Sequence, residues 1–241
     1  MNDSPIFSTE FIAKVRENNI AIVVDLVDVF KMYGGNSTLE FFSNRADFLI
    51  CHNSRLNVGK YFVGRSLIWP SLPYPESFYL ERHSQERHGL LIPGAQHRGR
   101  QYYVKYAKRH GLEFFDSLFS RSNQTSGQYS YENYTKRLCK ADMVFTNGYK
   151  NRRESQVIGR VSEVMLAKSA LLYESGSDID YFFSPYSDYV PVINLADFVD
   201  KVNYLINNPL HMEKIAQSGH ATILNKFSTS KFWSTIFKTV C

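Results

Sequence analysis

Apolar positions along this chain follow two different spacings, and each spacing predicts a different kind of element. Short runs rich in β-branched and aromatic residues, as at 19–25 and 46–51, are typical of buried strands. Longer segments such as 99–110 repeat their apolar residues every three or four positions, which predicts amphipathic helices. Strands that alternate with helices of this length favour a parallel sheet with helices on both faces. The pattern therefore predicts an α/β protein.

A proline-rich stretch divides this alternation into two parts. Pro70, Pro73 and Pro75 interrupt the pattern, so we predict a connector over residues 70–87. Before the connector, the pattern predicts helices at 9–18 and 37–44 and strands at 19–25, 46–51 and 64–69. After the connector, the predicted strands are 89–92, 112–115, 143–146, 170–173 and 189–193, and the predicted helices are 99–110, 129–140 and 160–168.

The C-terminal segment is predicted to be helical. Asn194 suits the cap of one helix, Pro209 suits the first turn of the next, and Ser228 suits the cap of a last, aromatic helix. Phe198 and Val202 recur at helical spacing within the first of these helices. Such stripes predict faces that pack on a core.

Length and composition bound the class of protein. With 241 residues, 44% of them hydrophobic, and a mean hydropathy of −0.31, we expect a soluble globular protein of one broad domain or two small ones. The apolar runs are too short to span a bilayer and no signal peptide is visible, so a cytoplasmic location is expected. Cys51, Cys139 and Cys241 show neither metal-ligand spacing nor a disulfide framework.

The charge balance favours an anionic partner. The formal net charge is +5 and the isoelectric point is near 9.0. This suits a nucleotide, an acidic glycan, a phospholipid surface or a nucleic acid, although a mildly basic surface without a specific partner explains it equally well. The chain lacks zinc-finger spacing, an aromatic recognition motif and a long basic tract. We therefore expect no nucleic-acid partner.

The strongest candidate for chemistry is a cation and a carboxylate one helical turn apart, Arg160 and Glu163. They lie at the start of the predicted helix 160–168, between two predicted strands, where open α/β sheets bind ligands. An arginine can hold a phosphate by two parallel hydrogen bonds, and a glutamate near a helix start can accept ribose hydroxyls. The pair therefore predicts a nucleotide site. A helix-start glutamate paired with a nearby arginine is the structural alternative.

The run from Gly159 to Glu174 resembles the glycosyl transferases group 1 pattern, in the spore-protein-like (CgeB-like) branch with its R-x-x-E motif. Downstream, 194–209 is similar to the family's helix ending in a proline, and 215–219 is similar to its "I-A-x-x-G" segment. Upstream, the segment Leu90–Gly94, with Arg98 or Arg100 after it, resembles the strand and turn that open the family's nucleotide-sugar domain. The resemblance covers residues 88–227, with a weaker similarity over 45–87. One departure is Ser169, which stands where the pattern has glycine.

This resemblance implies a GT-B-like fold, in which two Rossmann-type domains with parallel sheets and flanking helices face each other across a cleft. Residues 1–75 would form a shortened N-terminal, acceptor-side part, and residues 76–227 a complete C-terminal nucleotide-sugar domain. Residues 228–241 would form a helix that crosses back to the N-terminal part. The resemblance implies donor binding by Gly94, Arg98, Arg100, Asn147, Arg160 and Glu163, with Glu163 on the ribose and the arginines near the diphosphate.

The implied activity is transfer of a sugar from a nucleoside diphosphate sugar, such as a UDP-sugar, to an unidentified glycan, lipid or protein acceptor. No metal and no other cofactor are expected, because cationic side chains such as Arg100 and Arg160 would neutralise the leaving diphosphate. His52, at the end of the strand 46–51, is a candidate general base, with a structural histidine as the alternative.

The short N-terminal part leaves a second interpretation open. A membrane surface or a partner chain could complete the acceptor side, which would make the protein a peripheral one. Alternatively, the chain is a catalytically inactive, glycosyltransferase-like binding or assembly subunit. Turnover of a sugar donor separates the enzyme from the inactive subunit.

Overall fold

Helices and strands alternate along the chain in the computed structural model. The structure describes residues 8–26, 45–52, 65–71, 73–74, 76–79, 88–95, 98–119, 131–148, 150–151, 154–155, 157, 159–176 and 178–240. The helices described are α1 Thr9–Glu17, α2 Arg98–Arg109, α3 Tyr131–Lys140, α4 Arg160–Leu166, α5 Ile179–Phe182, α6 Leu195–Asn207, α7 Pro209–Phe227 and α8 Thr229–Val240. The strands described are β1 Val23–Leu26, β2 Phe48–Cys51, β3 Arg65–Ile68, β4 His88–Ala95, β5 Phe114–Phe119, β6 Ala141–Thr146, β7 Lys150–Asn151, β8 Glu154–Ser155, β9 Ala170–Glu174 and β10 Val190–Val192.

The chain forms two compact units. The first comprises Met1–Pro70 with Ser230–Cys241, and the second comprises Ser71–Thr229. The first unit holds a parallel sheet in the order β1-β2-β3. Its middle strand is buried at every position, as the unbroken apolar run 48–51 predicts for a central parallel strand. The domain boundaries expected from the resemblance stay a prediction.

The second unit holds a five-stranded parallel sheet in the order β10-β9-β6-β4-β5. One face carries α2 and α6, which contact each other. Alternate strand residues enter this side of the core, and the ring of Phe145 packs against both Tyr103 and Phe198 at centroid distances of 4.4 and 4.6 Å. The predicted α/β class with a parallel, helix-flanked sheet is confirmed.

The motif helix α4 is buried from Val161 to Leu166 and contacts both α3 and α7. Gly219 on α7 faces α4, because a Cβ there would lie 3.3 Å from Cγ of Met165, and it would also lie 2.7 Å from the Asp188 carbonyl oxygen. Ser169 follows α4, and its hydroxyl donates to the carbonyls of Leu138 and Ala141 at 2.7 and 2.8 Å. The serine at the family's glycine position therefore has a structural role.

Two predicted strand starts are displaced by helix ends. Asn19 adopts φ +57° and its amide closes α1 on the Arg16 carbonyl, so β1 begins only at Val23. Likewise the Leu112 amide bonds back to Ala107 at the end of α2, and β5 begins at Phe114.

Other differences concern short elements. The β7–β8 hairpin and α5 are too short to show a period, and the pattern missed them. The predicted helix 37–44 lies outside the described residues. Across the described ranges, every helix is too short or too polar to traverse a lipid bilayer.

Candidate functional site

The carboxyl ends of β4 and β6 meet at the point where the strand order of the second unit reverses. From β4 the chain crosses to β5 on one side, and β6 then pairs with β4 on the other side. Open α/β sheets bind ligands in the crevice outside such a switch point. The end of β4 brings Gly94 to this place, and Asn147 directly follows β6.

Two arginines converge on Gly94. A Cβ built on Gly94 would lie 2.6 Å from Nη1 of Arg100 and 2.9 Å from each terminal nitrogen of Arg160. Gly94 has φ +109°, a conformation that other residues rarely adopt, so the backbone requires glycine, and a Cβ there would also displace the two guanidinium groups. The two guanidinium groups, from the first turns of α2 and α4, therefore share one small region at the end of β4.

This arrangement is electrostatically unfavourable without an anion. Arg100 is only 5% exposed. Burial, and then the neighbouring charge of Arg160, lower the pKa of Arg100 to about 10. Arg100 also donates from Nη2 to Oδ1 of Asn147 at 3.3 Å, which orients the guanidinium group. An anion bound between the two arginines would offset the cost of burying Arg100 and would reduce the repulsion between the two guanidinium groups.

Glu163 lies on the same face of α4 as Arg160, and a tyrosine of α3 joins them. The hydroxyl of Tyr134 donates to Oε2 of Glu163 at 3.1 Å and accepts from Nε of Arg160 at 3.2 Å. Glu163 is only 7% exposed. The carboxylate is therefore neither a surface group nor half of a surface ion pair, but part of a buried polar network that includes the arginine.

Further hydroxyl groups surround the carboxylate. Burial raises the pKa of Glu163, while Arg160 and the hydroxyls of Tyr134, Tyr131 and Tyr79 act in the opposite direction. The hydroxyls of Tyr79 and Tyr131 are themselves 2.8 Å apart. Sequence reasoning missed these tyrosines. Tyr131 and Tyr134 are three residues apart in the predicted helix 129–140, and this spacing predicts that both side chains lie on one face of the helix.

Gly159, the residue before α4, makes room for another tyrosine. A Cβ built on Gly159 would overlap the hydroxyl of Tyr74 and lie 3.2 Å from its ring carbon Cζ. The backbone of Gly159 is helical, so the restriction is one of space rather than of conformation.

We expect Gly159→Ala to lower the free energy of unfolding by about 1–3 kcal/mol, since the new methyl group displaces Tyr74. Adding Tyr74→Phe should restore most of this loss, because it removes the overlapping hydroxyl. Urea denaturation of Gly159→Ala, Tyr74→Phe and the double variant measures the coupling. Gly99→Ala is the matched control, because its Cβ would meet only Asn147 at 3.7 Å among the described atoms. Equal destabilisation with and without the Tyr74 hydroxyl would contradict this account.

The other predicted site residues are placed as follows. Arg98 is the first residue of α2, and its side chain lies outside what the structure describes. His52 is in the first unit, at the end of β2, with Nδ1 2.8 Å from the Trp69 carbonyl and Nε2 2.7 Å from Oδ1 of Asp25. Both ring nitrogens are therefore engaged in contacts within the first unit. This geometry favours a structural role, and the general-base role stays a prediction.

Metal and thiol chemistry find no support in the described ranges. They contain no group of three or more histidine, cysteine, aspartate or glutamate side chains that could hold a metal ion. Cys51 is buried, and burial followed by the charge of Asp25 raises the pKa of its thiol to about 12. A thiol of this kind is unreactive at neutral pH.

Comparison with known proteins agrees with the fold. Residues 85–238 match the family model described as glycosyl transferase-like. No sequence among the curated proteins matches the chain significantly.

Solved structures resemble the chain in fold at low sequence identity. Alr3699/HepE of Anabaena, in complex with UDP-glucose, is 12% identical with a TM-score of 0.61, covering 95% of this chain and 74% of that one. TarM, known from S. aureus, is 13% identical with a TM-score of 0.65, covering 98% of this chain and 52% of that one. The sucrose-phosphate synthase of Thermosynechococcus elongatus is 10% identical with a TM-score of 0.61, covering 94% and 70%.

The family model spans more than half of the chain, including both arginines and the glutamate of the switch-point site. Membership in this family places the chain among the glycosyltransferases. The spore-protein-like branch within the family stays a prediction. The chain belongs to the glycosyl transferase-like family, and it has the parallel α/β fold of GT-B glycosyltransferases.

Proposed function

We propose that this protein transfers a sugar from a UDP-sugar to an acceptor, using the site at the ends of β4 and β6. The observation that carries the proposal is the convergence of Arg100 and Arg160 on Gly94, with Glu163 joined to Arg160 through Tyr134. A pair of cations next to a carboxylate matches the diphosphate and the ribose of a nucleoside diphosphate.

Each side chain takes one part of the donor in this proposal. Arg100 and Arg160 hold the diphosphate, and the lack of a side chain on Gly94 lets the phosphates approach the backbone. Asn147 keeps Arg100 oriented through its 3.3 Å hydrogen bond. Glu163 accepts the ribose hydroxyls. UDP is the proposed nucleotide because Alr3699/HepE, which shares this fold, was solved with UDP and with UDP-glucose.

The arginines also supply the catalytic effect that we propose. In sugar transfer the bond from the anomeric carbon to the β-phosphate oxygen breaks, while the acceptor oxygen releases its proton to solvent and bonds to that carbon. Negative charge then grows on the departing diphosphate. Two fixed guanidinium groups stabilise this charge more than that of the intact donor, which lowers the barrier without a metal ion.

A donor screen tests the proposal. We expect the full-length protein to bind UDP and to release it from one UDP-sugar, by hydrolysis or by transfer, in buffer with EDTA. Arg100→Met and Arg160→Met should each weaken UDP binding and slow the release of UDP from the donor. Nucleotide binding without turnover of any donor, in the presence of glycan, lipid and peptide acceptors, would instead make the chain an inactive binding subunit. Turnover that requires an added divalent cation would contradict the metal-independent step.

The raised pKa of Glu163 predicts a pH effect on donor affinity. Because burial raises this pKa, the carboxyl takes up a proton at a higher pH than an ordinary glutamate, and protonation removes acceptor capacity. We expect UDP-glucose affinity to fall as pH is lowered from about 8 to about 5. Both phosphates of UDP-glucose are diesters, so the ligand itself does not titrate there. Calorimetric titration measures the effect, and Glu163→Gln should remove this pH dependence.

The raised pKa of Glu163 also makes the stability of the protein depend on pH. At pH values between the ordinary glutamate pKa and the raised pKa of Glu163 in the folded protein, the folded protein binds more protons than the unfolded chain. The free energy of unfolding therefore falls as pH rises through this window. Glu163→Gln should therefore gain stability relative to the wild type at about pH 8 and lose this advantage at about pH 4. A constant difference in melting temperature would contradict the buried, ionised state of Glu163.

A further inference from the structure

Helix α2 has a buried face and an exposed face. Tyr103, Val104 and Ala107 pack in the core of the second unit. On the opposite side of the helix, Tyr102 is 62% exposed and Lys105 is exposed as well. Packing in the core therefore does not explain which residues the outward face carries.

The charged groups of this outward face are all positive. Lys105, Lys108 and Arg109 are exposed, and α2 contains neither aspartate nor glutamate. Within the described ranges, none of these three cations takes part in an ion pair. Positions 102, 105 and 109 are spaced by three and four residues, so their side chains follow one line along the helix. Tyr102, Lys105, Lys108 and Arg109 are here called the α2 stripe.

Two carboxylates near α2 do not neutralise this stripe. Glu174 accepts a hydrogen bond at 3.4 Å from the hydroxyl of Tyr103, which belongs to the buried face. Asp197, on the neighbouring helix α6, is paired with Lys201 at 2.8 Å. The stripe therefore keeps a positive potential, which attracts an anionic ligand.

The stripe begins beside the proposed donor site. Arg100, in the first turn of α2, meets Arg160 at Gly94, and Tyr102 follows Arg100 within the same helical turn. From Arg100 to Arg109 the helix rises about 14 Å, at 1.5 Å per residue. A ligand along the stripe would therefore have one end next to the donor and the other end away from it.

An exposed aromatic ring followed by cations suits a glycan that carries acidic groups. The face of a tyrosine ring packs against the apolar face of a sugar ring. Ammonium and guanidinium groups bind carboxylate, sulfate or phosphate groups. Lys105 and Arg109 lie about 6 Å apart along the helix axis, so successive units of one extended chain can reach both.

The same face is poorly suited to a lipid surface. A helix that lies in a membrane interface inserts an apolar face into it. The apolar residues of α2 already pack in the protein core. Among the described side chains of α2, Tyr102 is the one exposed large hydrophobic group.

Resting on the proposed function of the donor site, we propose that the α2 stripe binds an anionic glycan, and that this glycan is the sugar acceptor. Its reacting end lies at the first turn of α2, and the rest of the chain follows the stripe toward Arg109. Tyr102 stacks on one sugar ring, and the three cations bind the acidic groups. The stripe thereby assigns a chemical class to the acceptor.

Calorimetric titration of the full chain with a sulfated heparin hexasaccharide tests this inference. We expect Lys105→Gln/Lys108→Gln/Arg109→Gln to bind it about tenfold more weakly than the wild type, since three exposed charge contacts are lost. Tyr102→Ala should bind about threefold more weakly, whereas Tyr102→Phe keeps the ring and should bind as the wild type does. Neutral maltohexaose should not bind measurably to the wild type.

A matched variant separates the stripe from the net charge of the protein. Lys214→Gln/Lys226→Gln/Lys238→Gln removes the same charge from exposed lysines of α7 and α8, and it should bind the hexasaccharide as the wild type does. Equal weakening in the two triple variants would overturn the stripe as a site, and so would equal affinity for maltohexaose. Stripe-dependent binding to phosphatidylserine vesicles, without binding of the hexasaccharide, would overturn it in favour of a lipid surface.

Titration with UDP distinguishes a failure of this inference from a failure of the donor site. The α2 stripe holds no part of the donor, so UDP affinity should be unchanged in both triple variants. A wild type that binds UDP but not the hexasaccharide would overturn the stripe alone. A wild type that binds the hexasaccharide but not UDP would overturn the donor site and, with it, the acceptor role of the glycan.

The acceptor role has its own readout in transfer assays with the UDP-sugar that the protein turns over. The hexasaccharide should either accept the sugar or compete with the acceptor, so it should change the rate of transfer by the wild type. The same concentration should have less effect on the triple variant of the stripe. A rate of transfer that the bound hexasaccharide leaves unchanged would overturn the acceptor role.

Discussion

Glu163→Gln is expected to weaken UDP binding by about 100-fold, the largest effect of any single substitution at this site. The carboxylate offers two charged acceptor oxygens to the ribose hydroxyls, whereas an amide offers one neutral oxygen and turns two donor hydrogens toward them. Hydrogen bonds to a charged group contribute roughly 1.5–3 kcal/mol each, and two of them account for this fold-change. Isothermal titration with UDP measures it.

Glu163→Gln is chosen so that a loss of UDP binding does not result from a loss of folding. Glutamine has nearly the shape of glutamate, and it removes a buried charge whose pKa is already raised by burial. Glu213→Gln is the matched control, because Glu213 is a half-buried residue of α7 that accepts only a local hydrogen bond from Gln217 among the described contacts. If Glu163→Gln bound UDP as well as Glu213→Gln does, the ribose role of Glu163 would be wrong.

Arg100→Met is expected to weaken UDP binding by about 50-fold and, at the same time, to stabilise the ligand-free protein. The loss of affinity follows from the loss of a charged donor to the diphosphate. The gain in stability follows because burial and Arg160 lower the pKa of Arg100 from 12.5 to about 10, which corresponds to about 3 kcal/mol of unfavourable free energy in the folded state. Part of this gain is offset by the lost bond to Asn147.

We therefore expect Arg100→Met to raise the free energy of unfolding of the ligand-free protein by about 1 kcal/mol. For a protein of this size, this raises the melting temperature by about 2–4 °C. Arg109→Met, on the exposed end of the same helix, should change neither the affinity nor the melting temperature. Thermal melts with and without UDP measure both effects. A lower melting temperature for Arg100→Met, with unchanged affinity, would show that this arginine has a structural role only.

Part of this site could be predicted from the sequence because local spacing fixes it. Arg160 and Glu163 are three residues apart in a helix, so any helix over this segment places them on one face. In the same way, the apolar residues change from a strand-type run to helix-type spacing in this segment. This change predicts that Gly94 lies at the end of a strand and Arg100 in the next helix. These local features depend little on the rest of the fold.

The tyrosines near Glu163 could not be predicted, because their positions depend on contacts between distant segments. Tyr79 lies 84 positions before Glu163, and only folding brings its hydroxyl to 2.8 Å from that of Tyr131. The same holds for Gly159, whose missing side chain matters only because Tyr74 occupies that space. The displaced strand starts at Val23 and Phe114 have a further cause, since helix-ending hydrogen bonds used residues that the apolar pattern assigned to strands.

The central claim is that a nucleoside diphosphate binds with its two phosphates on Arg100 and Arg160 and its ribose on Glu163. A crystal structure of the full-length protein with UDP measures this directly. We predict phosphate oxygens within about 3 Å of both guanidinium groups above Gly94, and the ribose hydroxyls at the same distance from the Glu163 carboxylate. UDP bound away from the ends of β4 and β6, with no ribose hydroxyl near Glu163, would contradict this claim.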